Sequence, residues 1–348
     1  MTSYVAIGQE EEERKRYANQ VGADGWTLLT ALGDPATPGW MKTLPAITTL
    51  QTIWEQQFDP LDQGGQWQVK PTLPAAQLIN SPYDLDARYG KKRTTLWVGY
   101  KVHFTQTCDD DAPQLITHVE TTQAPISDEA AVSTIHASLA EKALLPGQHL
   151  VDAGYVTSAN LLQTQSRYGV DLVGPTLKTH WYQAETGYDL THFSIDWETE
   201  TVTCPQGRVS SSWSPVQDAG KTLIKVKFAQ FDCTVCSSRA DCTGTTRRSL
   251  TLHPKEQMQA LFVARAREGT DVFKEVYRHR AGIEGTHSQG VRAMGLRRSR
   301  YSGQRKTHLG HVALVSAINV IQLMSYLRGE TPEQTRTSPF KRLMKPAG

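Results

Sequence analysis

Several side chains in this 348-residue sequence stand at spacings that suit metal-assisted phosphate chemistry. Within the stretch 277–301, YRHRAGIEGTHSQGVRAMGLRRSRY, Glu284 is the one acidic residue in a field of arginines. A surface helix that balances its charge intersperses several acids among its bases. A single carboxylate in a basic field can instead hold a cation beside a phosphate backbone. Tyr277, Arg280 and Glu284 are spaced i, i+3, i+7, which on a helix sets them on one face. Gly282, Gly285, Gly290 and Gly295 surround them. Each costs ~1 kcal/mol relative to Ala inside a helix, which a helix tolerates where a backbone or a phosphate must come close. Far upstream, HLVDAGY places Asp152 at the end of a short apolar run, with Gly154 for a sharp turn behind it. In open α/β sheets, ligands gather at the carboxyl ends of strands. Taken singly, the first motif reads first as an Arg–Glu pair on an ordinary amphipathic helix, and the second suits equally a strand-ending Asp that caps the next helix.

A second set of side chains is sulfur. Cys204, then Cys233-x2-Cys236-x5-Cys242, supplies four thiolates, enough for one tetrahedral structural Zn2+. The bland alternative is four reduced cysteines buried in one small module. Cys108, at a hairpin tip, has no partner nearby in sequence, and His103, His118, His136 and His149 read as core or surface residues rather than ligands. A third set is Arg292, Arg297, Arg298, Arg300, Arg305 and Lys306. These suit sequence-independent, salt-dependent phosphate contacts, or else form a solvated basic face.

The elements that must position these groups are legible as patterns. Residues 10–58 are helical by apolar spacing, broken by GDPATPGW. TTLWVGYKVHFTQT (94–107) and QLITHVETT (114–122) are strand-like, with CDDDAP as the hairpin between them. A helix follows Ser127, with Asp128 and Glu129 in its first turn; then come the apolar run 149–156, another helix, and VDLVGP at 170–175. This order predicts an α/β fold with a mixed sheet. It matches the middle of an RNase H-like fold with one strand supplied ahead of it. Residues 180–250 break the alternation with short β-like pieces and the cysteines. Helices return with Pro254 near a first turn, Gly269 as terminator, and a second start after Thr270. The organisation expected is a helical region and linker at 1–80, core at 81–179, a β-rich four-cysteine insertion at 180–250, helical completion at 251–328, and a disordered tail at 329–348.

Net charge is only +2, so any affinity for a polyanion must come from the local basic block rather than the whole molecule. The start, MTSYVAIGQEEEERKRY, lacks the basic and apolar regions of a signal peptide. The longest apolar segment, 308–327, is interrupted by His311, Ser316, Asn319 and Gln322, and reads as a buried core helix rather than a membrane span. Cysteine usage is not that of a secreted disulfide scaffold, and a reducing cytoplasm is expected.

Asp152 after a strand, an insertion, then Y-x2-R-x3-E resembles the insertion-sequence transposases of the DDE superfamily, and more narrowly their Y-R-E-K signature group. LVDAGYV resembles that group's second-Asp motif and YRHRAGIEG its Glu motif; SPYDLDARYGKK, WVGYKVH and GLRRSRYSG are similar as well. The resemblance runs from about Ser81 to Leu327. It implies an RNase H-like core and three carboxylates that hold two Mg2+ (or Mn2+) ions, with Asp152 and Glu284 as two of the three ligands. It further implies Arg280 neutralising phosphate charge and Tyr277 positioning the DNA backbone. The partners it implies are DNA, as transposon ends and target, and other copies of the chain, with no membrane. Two positions depart from the pattern. Val291 stands where the signature's final Lys falls, with Arg292 beside it, and no Asp-Ser/Gly-Thr motif occurs. Asp84, Asp86, Asp59 and Asp62 lie in loops or turns instead. The expectation is therefore the C-terminal part of a transposase, without its first catalytic strand and doubtful in solitary activity. Alternatives are a non-catalytic DNA-binding remnant and an unrelated metal-dependent nuclease.

Overall fold

β-Branched and aromatic residues dominate the segment after Thr94, and it forms the longest strand of the computed structural model, which describes residues 2–60, 66, 73–177, 186–218 and 220–329. This strand, β2 (Thr95–Gln106), lies between β1 (Arg88–Lys92) and β3 (Ile116–Gln123) in a three-stranded sheet. Ahead of it are helices α1 (Thr2–Gly33), α2 (Gly39–Lys42) and α3 (Pro45–Gln57), as the apolar spacing predicts. The hairpin at CDDDAP is closed by the Thr107 amide donating to the Leu115 carbonyl. β1 is a correction, since SPYDLDARYG reads as loop throughout. Its charged, glycine-bearing sequence has no apolar alternation, and it is organised by antiparallel pairing along β2, from Arg88 opposite Gly99 to Lys92 opposite Thr95. Gly90 is required there, because a Cβ would lie 2.7 Å from that of Ala124 and 2.8 Å from the Trp97 ring.

The βαβ unit that carries Asp152 follows. α4 (Asp128–Glu141) buries Ala131, Val132, Ile135 and Leu139. β4 (Gln148–Leu150) and β5 (Asp171–Val173) pair in parallel, Leu150 opposite Val173, with α5 (Ser158–Tyr168) as the crossover. α5 is capped by the Thr157 hydroxyl accepting from the Asn160 amide and stopped by Gly169 at φ 67°. Val151, Val156 and Leu172 form a small core beneath this turn.

Next come a hairpin, β6 (Ser194–Asp196) and β7 (Thr201–Thr203), and an antiparallel sheet of β8 (Ser212–Asp218), β9 (Lys221–Lys227) and β10 (Ser249–Leu252). Short helices α6 (Gln230–Thr234) and α7 (Arg239–Cys242) stand between β9 and β10. Phe193, Val202, Val226, Phe228, Leu250 and Leu252 form their shared core. α8 (Lys255–Glu268), α9 (Asp271–Tyr277), α10 (Ala281–Met294) and α11 (Gln304–Leu327) complete the described chain. The result is mixed α/β, with several small sheets rather than one large one among the described residues.

Two helical expectations are corrected. Tyr277, Arg280 and Glu284 do not share one continuous α-helix, because a 3₁₀ turn, Arg278–Arg280, separates α9 from α10. The apolar segment 308–327 is not a buried core helix. Thr307, Val315 and Ile318 are buried in α11, whereas Leu309 and Leu327 are each 68% exposed and Val320 61%. Its apolar residues surround the helix, so one buried stripe leaves the rest uncovered. By length and composition α11 could cross a membrane, but the core helix of a soluble protein passes the same test. The tail beyond Gly329 lies outside the described residues.

The chain divides into two interleaved units. The first comprises 1–105, 119–126 and 289–321; the second comprises 106–118, 127–288 and 322–348.

Candidate active site

Asp152, Tyr277, Arg280 and Glu284 all belong to the second unit. The strand end places the first of them. The Val151 amide extends the β4–β5 pairing by donating to the Val173 carbonyl at 2.8 Å, and Asp152 then begins the 3₁₀ turn Ala153–Tyr155. Asp152 Oδ1 accepts from the Ala153 amide at 2.8 Å, so half of this carboxylate caps the turn. Its Oδ2 faces Arg280 Nη2 at 3.7 Å. The capping role and the outward role therefore fall on different oxygens.

The other side is built from the 3₁₀ break. It presents Arg280 so that Nη1 reaches Glu284 Oε1 at 3.0 Å, while Nη2 turns to Asp152. One guanidinium thus joins two carboxylates from distant parts of the chain. Tyr277 stacks on Phe273, with ring centroids 5.2 Å apart, and its hydroxyl donates to the Val151 carbonyl at 3.2 Å. That bond clamps the residue immediately before Asp152, so Tyr277 fixes the strand end as well as facing the site. Burial pushes the Tyr277 phenol up, with the nearby Arg280 charge opposing and Asp152 and Glu284 adding to the shift.

Asp152 is 59% exposed and Glu284 71%, while Arg280 is only 21% exposed. Ion pairs this open to water contribute roughly 0–1 kcal/mol, so fold stability does not account for the convergence. Its donor atoms are all carboxylate oxygen, which suits a hard divalent cation such as Mg2+ rather than a soft one. Among the described residues, no group of three or more His, Cys, Asp or Glu side chains stands at metal-holding spacing. The guanidinium is the cation between the two acids in this structure.

Asp128, read from sequence only as a first-turn helix acid, is the neighbour that sequence reasoning missed. A Cβ added at Gly154 would lie 3.3 Å from Asp128 Oδ2. Tyr155 is pushed up by burial first, then by the charges of Asp128 and Asp152, with Arg280 opposing. Nothing in the local sequence connects Asp128 to the turn at 152–155; only the packing of α4 against that turn does.

The basic residues lie in the first unit. Arg292, Arg297, Arg298, Arg300, Arg305 and Lys306 are all exposed, and none has an ion-pair partner among the described residues. Arg292 lies in α10 and Arg305 and Lys306 in α11, and the loop between them, which carries Arg297, Arg298 and Arg300, is held by the Leu296 amide donating to the Gly290 carbonyl and by Ser299 Oγ bonding both the Tyr301 carbonyl and Thr307 Oγ1. The Tyr301 ring lies on Gly310, where a Cβ would come within 2.9 Å of it. Asp84 and Asp86 serve this same unit. Asp84 accepts from the Tyr100 hydroxyl at 2.7 Å, and Asp86 caps α11 by accepting from the Gln304 amide at 3.0 Å. Asp59 donates its amide to the Gln66 carbonyl, and Asp62 lies outside the described residues.

The cysteines converge. Cys204, Cys233, Cys236 and Cys242 line one pocket together with Tyr188 and Arg248. All are reduced thiols, as is Cys108. Burial pushes the Cys242 thiol up; Arg248 opposes, and the other three cysteines add to the rise. Of the histidines expected to be packing residues, His103, His118 and His136 are buried, and His149 meets His136 at 2.9 Å.

Residues 203–324 match a family model described as the transposase DDE domain. The matched segment contains Tyr277, Arg280, Glu284, the convergent cysteines and the basic stretch, whereas Asp152 lies ahead of it. Over this segment the chain is similar to the DDE domain of transposases. Comparisons with curated proteins and with solved structures gave no match.

Proposed function

We propose that the chain is a DDE-type transposase that cleaves and joins DNA strands for an insertion sequence, within an RNase H-like core. The observation that carries this reading is the Arg280 guanidinium shared between Asp152 and Glu284. Asp152 and Glu284 would hold Mg2+, which supplies charge neutralisation and activation of the attacking and leaving oxygens. In the cleavage step, a water oxygen bonds to phosphorus and the bridging 3′ oxygen leaves as a hydroxyl. In the joining step, that hydroxyl oxygen bonds to a target phosphorus and displaces another bridging oxygen. Arg280 offsets the charge that builds on the non-bridging oxygens, and Tyr277 holds Val151 so that Asp152 stays at the strand end. Arg292, Arg297, Arg298, Arg300, Arg305 and Lys306 grip the backbone of transposon-end or target DNA. The active species is an oligomer of this chain in the cytoplasm.

Cys204, Cys233, Cys236 and Cys242 are proposed to hold one structural Zn2+ in the module at 180–250. Four soft donors around one pocket support it, although among the described residues they do not stand at metal-holding spacing. Purified protein should contain about one zinc, which Cys236→Ser loses; metal-free protein with the same melting profile as metal-loaded protein removes the proposal. Nicking of DNA that carries the element's ends, in Mg2+ or Mn2+, tests the catalytic reading. Cleavage that Asp152→Asn and Glu284→Gln each reduce to background supports it. A second reading, a DNA-binding protein without catalysis, is favoured by the absence among the described residues of three ligands at metal-holding spacing. Salt-dependent DNA binding with no cleavage in either metal selects that reading.

A further inference from the structure

We infer that the β1–β2 hairpin is a second contact for DNA, a basic ribbon that joins the surface of Arg297, Arg298, Arg300, Arg305 and Lys306; the inference rests on the DNA-binding reading above. Between Asp86 and Asp109 the chain carries no acid and five bases: Arg88, Lys91, Lys92, Arg93 and Lys101. Two of them serve the fold. Arg88 Nε donates to the Ala76 carbonyl at 2.7 Å, and Lys101 Nζ to the Ile126 carbonyl at 2.7 Å. Lys91, Lys92 and Arg93 do not. All three are exposed at the hairpin tip, with neither ion pair nor side-chain hydrogen bond among the described residues. Lys92 lies opposite Thr95, so the turn consists of Arg93 and Thr94. Arg93 takes φ 56° there. Turns this tight favour Gly, Asn or Asp at left-handed positions, because a larger side chain is strained in that region. An arginine kept against that preference, where it bonds nothing in the fold, points to a contact outside the chain.

The ribbon has a face as well as a charge. Tyr89 lies opposite Val98 and Lys91 opposite Leu96, and these four share one side of the hairpin because side chains alternate along a strand. The other side packs, with Gly90 against Ala124 and the Trp97 ring. Leu96 is 55% exposed and Val98 49%, with Tyr89 exposed beside them. Apolar and aromatic groups flanked by cations suit sugars and base edges, and a two-stranded ribbon fits the major groove of B-DNA. One residue fixes the base of the ribbon to the arginine surface, within the same unit. The Asp86 carbonyl accepts from Gln123 Nε2 on β3 at 3.0 Å, and Asp86 Oδ2 accepts from the Gln304 amide at 3.0 Å. Arg305 and Lys306 follow Gln304 directly. From that anchor, β1 extends about 17 Å toward the tip, which is about five base-pair steps of a duplex.

The test is DNA binding by the full chain, read by fluorescence anisotropy of a labelled random-sequence duplex of about 30 base pairs across a salt series. Arg93→Gly separates strain from contact. It should keep or raise the melting temperature, because glycine adopts the turn freely, yet weaken binding and flatten the slope of log K against log salt by about one. Lys91→Ala combined with Lys92→Ala should flatten it by about two. Lys225→Ala combined with Lys227→Ala removes two exposed charges from β9, in the other unit, and should leave the slope unchanged. If the hairpin variants keep the slope while Arg297→Ala, Arg298→Ala and Arg300→Ala combined flatten it, the inference fails and the DNA-binding reading stands. If the hairpin variants keep the slope and self-associate in sedimentation, the cations guard an edge strand and the inference fails. If the β9 pair flattens the slope as much as the hairpin pair, the effect is net charge and the inference again fails. If the loop and hairpin variants all bind as the unmodified chain does, both readings fail.

Discussion

Arg280 separates what stabilises the fold from what serves the site. Its partners are well exposed, so truncation should cost little stability, below about 1 kcal/mol. Its loss leaves Asp152 and Glu284 without their internal counter-charge. Arg280→Ala should therefore tighten Mn2+ binding several-fold while lowering DNA cleavage, and calorimetric titration beside a nicking assay checks both. Weaker Mn2+ binding in that variant would mean the guanidinium organises the acids rather than competing for them. A different residue-scale effect belongs to the histidines. His136 Nε2 and His149 Nδ1 share one hydrogen bond at 2.9 Å, and burial, then the His136 charge, pushes His149 down to about 4. An unfolded chain binds this proton near pH 6.5 and the folded chain does so only near pH 4, so stability falls as pH drops between those values. The loss attributable to His149 is roughly 2–3 kcal/mol by the linkage relation. Melting temperature followed from pH 7 to 4.5 should drop less in His149→Gln, whose side chain keeps a polar partner for His136 but does not titrate. An identical pH profile in the two proteins would discard this source of acid sensitivity.

Among the elements, the turn after β4 is where sequence and structure agree in kind but differ in reason. A short apolar run ending in Asp-Ala-Gly is legible because it closes on buried Val151 while Asp152 is exposed. What holds the turn is not legible. Gly174 leaves room for it from the next strand: a Cβ there would sit 2.5 Å from the Val151 carbonyl oxygen and 2.9 Å from Val156 Cγ2. Gly174→Ala should cost roughly 1–3 kcal/mol of stability, the usual penalty of overpacking. It should also weaken Mn2+ binding, because the strain falls on the backbone bearing Asp152. Urea denaturation with Mn2+ titration reads both, and a variant of unchanged stability would show that the strand end yields freely. The same contrast recurs elsewhere. The hairpin at 107–115 and the parallel pair β4–β5 follow from side-chain pattern, whereas β1 exists through pairing alone and α11 is apolar without being covered. Asp128 and Asn160 are invisible in the sequence as neighbours of the turn after β4 because they reach it only by a tertiary approach of two turns. The basic loop is legible by composition, and its fixed backbone makes the electrostatic claim sharp. Arg297→Ala, Arg298→Ala and Arg300→Ala combined should flatten the slope of log K against log salt by nearly one for each phosphate no longer neutralised. An unaltered slope would assign these arginines to solvent.

At the scale of the molecule, charge and chemistry are parcelled between units in a way that a net charge of +2 conceals. The acids, Arg280, Tyr277 and the cysteines belong to one unit, and the exposed arginines without carboxylate partners among the described residues belong to the other. Residues 127–288 form the continuous bulk of the former. This segment contains the core of Phe193, Val202, Val226 and Phe228, the core of Ala131, Ile135 and Leu139, and the core of Val151, Val156 and Leu172. It also holds the Arg267–Asp171 pair at 2.8 Å and the Thr176–Glu268 hydrogen bond at 2.9 Å, which tie α8 to the start of β5 and to the segment that follows it. A segment that keeps its buried clusters and its cross-element bonds should retain a cooperative fold. Residues 127–288 expressed alone should melt in a single transition by circular dichroism and bind Mn2+ in a manner that Glu284→Gln abolishes. They should show little of the salt-dependent DNA affinity of the full chain, since the basic stretch 292–306 is absent. Failure to melt cooperatively would assign 106–118 and 322–327 an indispensable part in this unit, where the Tyr326 hydroxyl bonds the Asp111 carbonyl at 3.0 Å. Full DNA affinity in the segment would instead move the principal nucleic-acid interface from the arginine loop to the carboxylate-bearing unit itself.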